Sequence, residues 1–345
     1  MTGSLLAVGL LAFVIASRWD QFARAAGSAP WWELTTAAAL HVASLMARSE
    51  AWLVCVHAAG GTVGRRRLYR AASLGYLGNV VNGELGFATR IAALRRAAPE
   101  QTPQAITLAA TEVPIVLMEV AFGTLTSFTL VGPLGLPWWS PILAFVGVVA
   151  VVAGLARLAL RHPTGWWHGL AALGDWRART RAACFVALAV SGQIARNWLM
   201  LHAVGVHASV FDATAALIAA TVLGTLPVGP GVGAAAMVLI LGANGVAGAS
   251  AAGVLLTATG TLGAIGYAGW ALADGVWATR ATPTNTDATR RRHRPEPQRC
   301  PWQDRAKAAI TSVCLIGSVA AARYVSVPCR EPRAVRGSPS FSCRR

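Results

Sequence analysis

Five ionisable residues stand inside stretches that are otherwise apolar: Arg48 and Glu50 within 33–58, Glu112 and Glu119 within 104–131, and Arg196, beside Asn197, within 182–204. A charge at the centre of an apolar span costs about 2.5–3.5 kcal/mol on insertion scales, so such residues face a bundle interior and pair. Glu112 and Glu119 are seven residues apart, which stacks them on one helix face, with Pro114 between them expected to loosen the helix. Arg48 and Glu50 are about 200° apart around a helix and cannot share a face. Arg48, Arg196 and the three glutamates together come close to neutrality. Two chemistries are open to such a set. In one, an anionic headgroup meets Arg48, Arg90 or Arg196 while Glu112 and Glu119 meet a cationic group or a proton. In the other, internal ion pairs fix helix register and touch no ligand. Glu50, near a predicted span end, is expected to snorkel to the interface. His41 is expected to be a packed core histidine.

The elements that must position these residues follow from composition. With 55% hydrophobic and 13% charged residues, the chain carries more apolar surface than a soluble domain of this size buries. Its mean hydropathy of +0.51 agrees. A spanning helix needs about 20 apolar residues. Windows at 3–17, 33–58, 104–131, 141–160, 182–204 and 250–272 are read as spans. The first is taken as a span because it lacks the basic start and small-residue cleavage site of a signal peptide. The net charge of +16 comes from arginine blocks between the spans, so it marks topology and not a nucleic-acid face. Of the 30 basic residues only Lys307 is not arginine.

Those blocks orient the bundle, because basic residues accumulate on the cytoplasmic side of short connections. The connections 60–100 and 157–181 and the tail are expected in the cytoplasm of a plasma-membrane protein. The connections 132–140 and 205–211 contain no Arg or Lys and face outward. Two segments must then enter and return on one face. The first is 68–90, with a break expected in the run from Gly75 through Gly78, Asn79, Asn82, Gly83 and Glu84 to Gly86. The second is 212–246, whose break holds Pro227, Gly229, Pro230 and Gly231. Paired Gly/Pro interruptions are the sequence mark of inverted-repeat transporters, in which unwound backbone at the midplane binds ligand. The plainer account is that the glycines allow close helix packing. The doublets Trp31-Trp32, Trp138-Trp139 and Trp166-Trp167 fall at span ends, where indoles anchor at the headgroups.

The predicted fold is therefore all-α: a polytopic transmembrane bundle over 1–280 with two re-entrant broken-helix hairpins in an inverted repeat. A disordered, cytoplasmic Arg/Pro-rich tail follows over 281–345. The candidate cavity residues are Arg48, Asn79, Glu84, Arg90, Glu112, Glu119, Arg196, Pro227, Gly229, Pro230 and Gly231. No GxxxxGK[ST], HExxH, GxSxG or CxxC pattern occurs, so no enzymatic activity, cofactor or metal is expected. The six cysteines form neither a disulfide framework nor a zinc pattern. Within the tail, 308–321 is too short for a span and is read as interfacial.

The order of features resembles the transmembrane region of bacterial lysylphosphatidylglycerol synthases, a flippase-like family that also occurs without a synthase domain. The resemblance covers about 30–275. It rests on Ala47-Arg48-Ser-Glu-Ala-Trp52, on Gly75-Tyr-Leu-Gly-Asn79 leading to Gly86, Arg90 and Leu94, on Glu112, and on Leu226-Pro227-Val-Gly229-Pro230-Gly231-Val-Gly233. The chain resembles a divergent branch: Asn82-Gly83-Glu84 stands where the family has Pro-Gly-Arg, Val113 follows Glu112 where the family has Arg, and Ala234 to Ala236 replace a late Glu. The resemblance implies translocation of a phospholipid or lipid-linked headgroup between leaflets. Aminoacyl transfer is not expected, since the 65 residues after 280 cannot hold a synthase domain. Membrane lipids with anionic headgroups are the expected partners, nucleic acid is not, and a homo-oligomer is left open. An alternative is a non-transporting membrane scaffold that recruits cytoplasmic partners through its basic loops and tail. A third reading, a membrane-embedded transferase, would use Glu84 as its carboxylate.

Overall fold

The computed structural model describes residues 27–81, 83–162, 164–224 and 246–280, together with 20, 23, 24 and 240. The expected span 3–17, the second break with Pro227, Gly229, Pro230 and Gly231, and the tail lie outside the described residues. The chain divides into two units, Met1–Thr282 and Pro283–Arg345. Only the first contains described residues.

Among the described residues there is no strand. The described residues form nine α-helices of six residues or more: α1 (Trp31–Ala58), α2 (Arg65–Val81), α3 (Gly83–Ala97), α4 (Ala105–Ala110), α5 (Glu112–Thr126), α6 (Ser140–Arg161), α7 (Trp176–Ala203), α8 (Val210–Gly224) and α9 (Val246–Arg280). Among the described residues five stretches are long and apolar enough to cross a bilayer: α1, the pair α4–α5 with the 3-10 turn after it, α6, α7 and most of α9. Local chemistry ends them where the hydropathy changes. Gly60 (φ 77°) and Gly205 (φ 76°) take the left-handed conformation after α1 and α7. In each case the next N–H returns to a carbonyl of the last turn, Gly61 to Val56 and Val206 to Leu201, both at 2.9 Å. Asp175 caps the start of α7 by accepting from the Arg177 N–H at 3.1 Å.

The outer surface requires a bilayer. Only 6% of the most apolar α6 window is covered, and Leu143 and Leu160 are 61% and 71% exposed. In water such a face would be an aggregation site, whereas lipid tails solvate it at no cost. This is a polytopic α-helical membrane protein. Trp31, Trp32, Trp138 and Trp139 are exposed at the starts of α1 and α6, as interfacial anchors should be. Trp167 instead packs against the core beside His162.

One end of the bundle gathers the basic connections. Thr62 N–H donates to Gln101 O at 2.9 Å, Arg67 to Gln101 Oε1 at 3.1 Å, and Thr107 Oγ1 to Gly165 O at 3.0 Å. The chain therefore leaves α1, runs through α2 and α3, and comes back to the end from which it started. At the opposite end, a Cβ built on Gly248 would lie 2.8 Å from Val206 Cγ2. Ala249 and Ala252 also share a core cluster with Leu201 and Val206. The stretch between α7 and α9 thus likewise begins and finishes at a single end.

Apart from Asn82, which lies outside the described residues, the first expected break is helical. Helix continues through Gly75, Gly78 and Asn79 to Val81 and resumes at Gly83, and α2 and α3 pack as an antiparallel pair. At ~1.5 Å per residue the two limbs reach only about 26 and 22 Å, short of a crossing and return. The glycines work in packing: a Cβ on Gly75 would lie 2.5 Å from Arg90 Cβ, and one on Gly78 would lie 2.8 Å from Gly86 Cα. Gly78→Leu is therefore expected to cost at least about 1–3 kcal/mol through overpacking. Gly147→Leu, on the open face of α6 with nothing within 4 Å, should leave thermal unfolding unchanged.

Pro114 also acts differently from the expectation. The helix yields at Thr111, before Glu112, and Glu112–Thr126 runs unbroken. Pro114 occupies the first turn of α5, where its missing N–H has no helical partner to lose and its ring excludes the carbonyl of Ala110 from the ladder.

Candidate functional site

The buried charges are ordered along the bundle. Near the basic end, Glu50 of α1 receives Arg65 (Nε–Oε1 2.5 Å, Nη2–Oε2 3.1 Å) and the Tyr69 hydroxyl from α2. Arg70 of α2 donates Nε and Nη2 to Asp274 Oδ2 of α9 at 2.8 and 2.5 Å. Glu50, expected to snorkel, is 8% exposed and held within the bundle by Arg65 and Tyr69 of α2.

Deeper, Arg90 of α3 meets Glu112 of α5 at 2.6 Å, with both residues buried. The Arg90 guanidinium lies 4.8 Å from the Trp52 ring centroid, and Trp52 Nε1 donates to Thr111 Oγ1 at 3.0 Å. Trp52 therefore holds the pair from α1 while the helix break at Thr111 presents the acceptor. Glu112 Oε1 has no hydrogen-bond partner among the described residues. Further along α5, Glu119 pairs with Arg48 of α1. Glu112 and Glu119 share a face, as their spacing requires, and each takes an arginine from a different helix. Arg48 and Glu50, on different faces of α1, go to different partners.

These four pairs are each neutral. Arg196 is left over. It is 6% exposed, and among the described residues no carboxylate reaches it. Its partners are all neutral: Nη1 donates to His41 Nδ1 and Gln193 Oε1, both at 3.2 Å, and Nη2 donates to Thr259 Oγ1 at 3.0 Å and to Leu256 O. Nε is buried with no partner among the described residues. Gln193 Nε2 also donates to His41 Nδ1, at 3.1 Å, so that nitrogen carries no proton and the His41 proton sits on Nε2. Four of five guanidinium donors are used, yet the charge is not compensated.

Arg196 forms part of the wall of a cavity of about 270 Å³ between α1, α2, α7 and α9. His41 and Tyr76 contribute polar atoms beside it, and Asn79, Thr257 and Thr261 extend the polar wall. Leu45, Leu256 and Ala264 make the rest apolar. Asn79 and Thr257 are exposed, so the cavity communicates with the outside of the bundle. Its size is at the lower edge of the roughly 300–1,000 Å³ usual for ligand sites and suits a headgroup. A Cβ on Gly260 would come within 3.0 Å of Arg196 Nη2, so glycine there makes room for the guanidinium.

Of the expected site residues, the structure brings Arg196 and Asn79 to the cavity. It joins Arg48 to Glu119 and Arg90 to Glu112 outside the cavity wall. The side chain of Glu84 lies outside what is described, as do Pro227, Gly229, Pro230 and Gly231. His41, expected as core packing, instead faces Arg196 in the cavity wall. Gln193 and Thr259 were not singled out, although Gln193 precedes Arg196 by three residues and shares its helix face. Among the described residues no group of three or more His, Cys, Asp or Glu could hold a metal ion.

Comparison of the chain with protein-family models, with curated proteins and with solved structures found no match.

Proposed function

We propose that the protein is a flippase-like transporter of the plasma membrane that moves a phospholipid or lipid-linked headgroup between leaflets. In this reading the basic end of the bundle faces the cytoplasm, and the α2–α3 hairpin dips from that side as a re-entrant element. The observation that carries the reading is Arg196: a guanidinium buried beside a headgroup-sized cavity with no counter-ion among the described residues. Leaving such a charge in place costs several kcal/mol, which a chain retains when a ligand supplies the missing anion. The resemblance in motif order to the lysylphosphatidylglycerol synthase membrane region supports the same class of substrate.

The ordered pairs give the hairpin a mechanical role. Arg70–Asp274 and Arg90–Glu112 tie α2 and α3 to α9 and α5, while Tyr76 and Asn79 near the hairpin tip touch the cavity. A headgroup drawn to Arg196 would meet the tip first, so hairpin movement would open or seal its path.

Reconstitution in liposomes with fluorescent phosphatidylglycerol tests the reading. The intact chain is expected to expose inner-leaflet lipid to an external quencher at least tenfold faster than protein-free vesicles or the Arg196→Ala variant. Equal rates in all three would remove the proposal. Loss of the cellular phenotype on truncation at about residue 280, with Glu112→Gln and Arg196→Ala silent, would favour the scaffold.

A further inference from the structure

We infer that the cavity selects a phosphate-bearing headgroup with hydroxyl or otherwise neutral substituents and no ammonium group. The inference rests on the reading of the cavity as a lipid headgroup site and narrows its substrate.

The wall carries one positive charge and, among the described residues, no negative one. Arg196 would take the phosphate. The neighbouring polar groups are uncharged: the His41 ring, the Tyr76 hydroxyl, the Asn79 amide and the hydroxyls of Thr257 and Thr261. The Tyr76, Thr257 and Thr261 hydroxyls donate to Leu45 O, Gly253 O and Thr257 O, at 3.4, 3.0 and 2.9 Å, which leaves their oxygens as acceptors for the hydroxyls of a glycerol or sugar phosphate. Such groups do not balance an ammonium, whose transfer into a low-dielectric site is expensive without a carboxylate.

The nearest acids along the bundle are already committed. Glu119 is held by Arg48 and Glu112 by Arg90, so recruiting either for an ammonium would strand an arginine. An anion entering beside Arg196 brings the site to neutrality. A zwitterion leaves it at +1, and an aminoacylated headgroup, itself positive, raises it further. The chemistry of the wall therefore favours an anionic phospholipid over an aminoacylated one.

Three lipids and one ion test this on the full chain purified in dodecylmaltoside, with bound lipid read by native mass spectrometry. Phosphatidylglycerol should be retained at least tenfold over phosphatidylethanolamine and lysylphosphatidylglycerol at equal concentration, and Arg196→Gln should abolish that preference. Thr261→Asp, which adds an acid to the wall, should invert it in favour of the ammonium lipids. Equal retention of phosphatidylethanolamine by the intact chain would overturn the inference. So would preferential retention of an ammonium lipid that vanishes in Glu84→Gln, since an acid would then be serving the site. Binding of inorganic phosphate alone with no phosphatidylglycerol would overturn it too, by showing a free anion as the occupant. Selective retention of phosphatidylglycerol by a chain that moves no lipid in liposomes would uphold the selectivity and remove transport.

Discussion

Arg90→Met and Glu112→Gln are each expected to destabilise the bundle by about 3–5 kcal/mol, the usual cost of leaving one member of a buried ion pair alone. Arg90 and Glu112 are 8% and 7% exposed, so water reaches neither well enough to take over from the missing partner. The loss at Arg90 has a second source, because its guanidinium also lies over Trp52 and Phe87, at 4.8 and 5.7 Å from the ring centroids. The double variant Arg90→Met/Glu112→Gln should recover most of the loss, since it strands no charge. Reversible unfolding in mixed micelles supplies the four corners of the cycle. A coupling energy below about 0.5 kcal/mol would show that the two groups do not depend on each other. Arg48 and Glu119, with side chains 30% and 24% exposed, should couple more weakly because partial solvation screens them.

The spans and the presence of buried charge are legible in the chain. Apolar windows of membrane length can form helices only if every backbone group is satisfied within the segment, so hydropathy locates α1, α6 and α7 to within a few residues at most ends. The start of α7 is the exception: it begins at Trp176, ahead of the apolar window, because Asp175 caps it and the arginines of its first turns tolerate helix in a polar setting. The spacing of Glu112 and Glu119 likewise shows that both must face one side.

What cannot be read is who meets whom. Summing charges suggests near-neutrality, but pairing is decided by which helix stands opposite, and Arg65, Arg70 and Arg90 of the α2–α3 hairpin enter the count. Their arrival consumes Glu50, Asp274 and Glu112 and leaves Arg196 outside the balance. The glycine-rich run from Gly75 to Gly86 shows the same limit. Composition alone allows either an unwound cavity lining or a close helix contact. Gly75 and Gly78 are three residues apart, hence on one face, and they meet Gly86 and Arg90 across the hairpin. The contact account therefore holds for this segment. His41 looked like core packing because the donors that turn it into a cavity wall come from α7, about 150 positions away in sequence.

Arg196→Met is expected to differ from Arg90→Met, with stability roughly unchanged. Both arginines are buried, so exposure cannot separate them. The difference is what each leaves behind. Removing Arg196 strands no carboxylate. His41 Nδ1 keeps the Gln193 donor at 3.1 Å, and Thr259 keeps its own bond to Leu255 O at 2.8 Å. Leu256 O retains the α9 helix ladder. Against four hydrogen bonds from a charged donor, about 1.5–3 kcal/mol each, stands the desolvation of an uncompensated buried charge, which costs several kcal/mol, so the two largely offset each other. A buried charge that adds little to stability is maintained for something other than folding, and here a neutralising ligand is the direct physical reason. Saturating phosphatidylglycerol should accordingly raise the unfolding midpoint of the parent chain and leave that of Arg196→Met unmoved, because only a state that binds ligand gains from it. If Arg196→Met instead unfolds as readily as Arg90→Met, and the lipid stabilises both variants equally, Arg196 is a structural tie and the cavity has no anion to offer it.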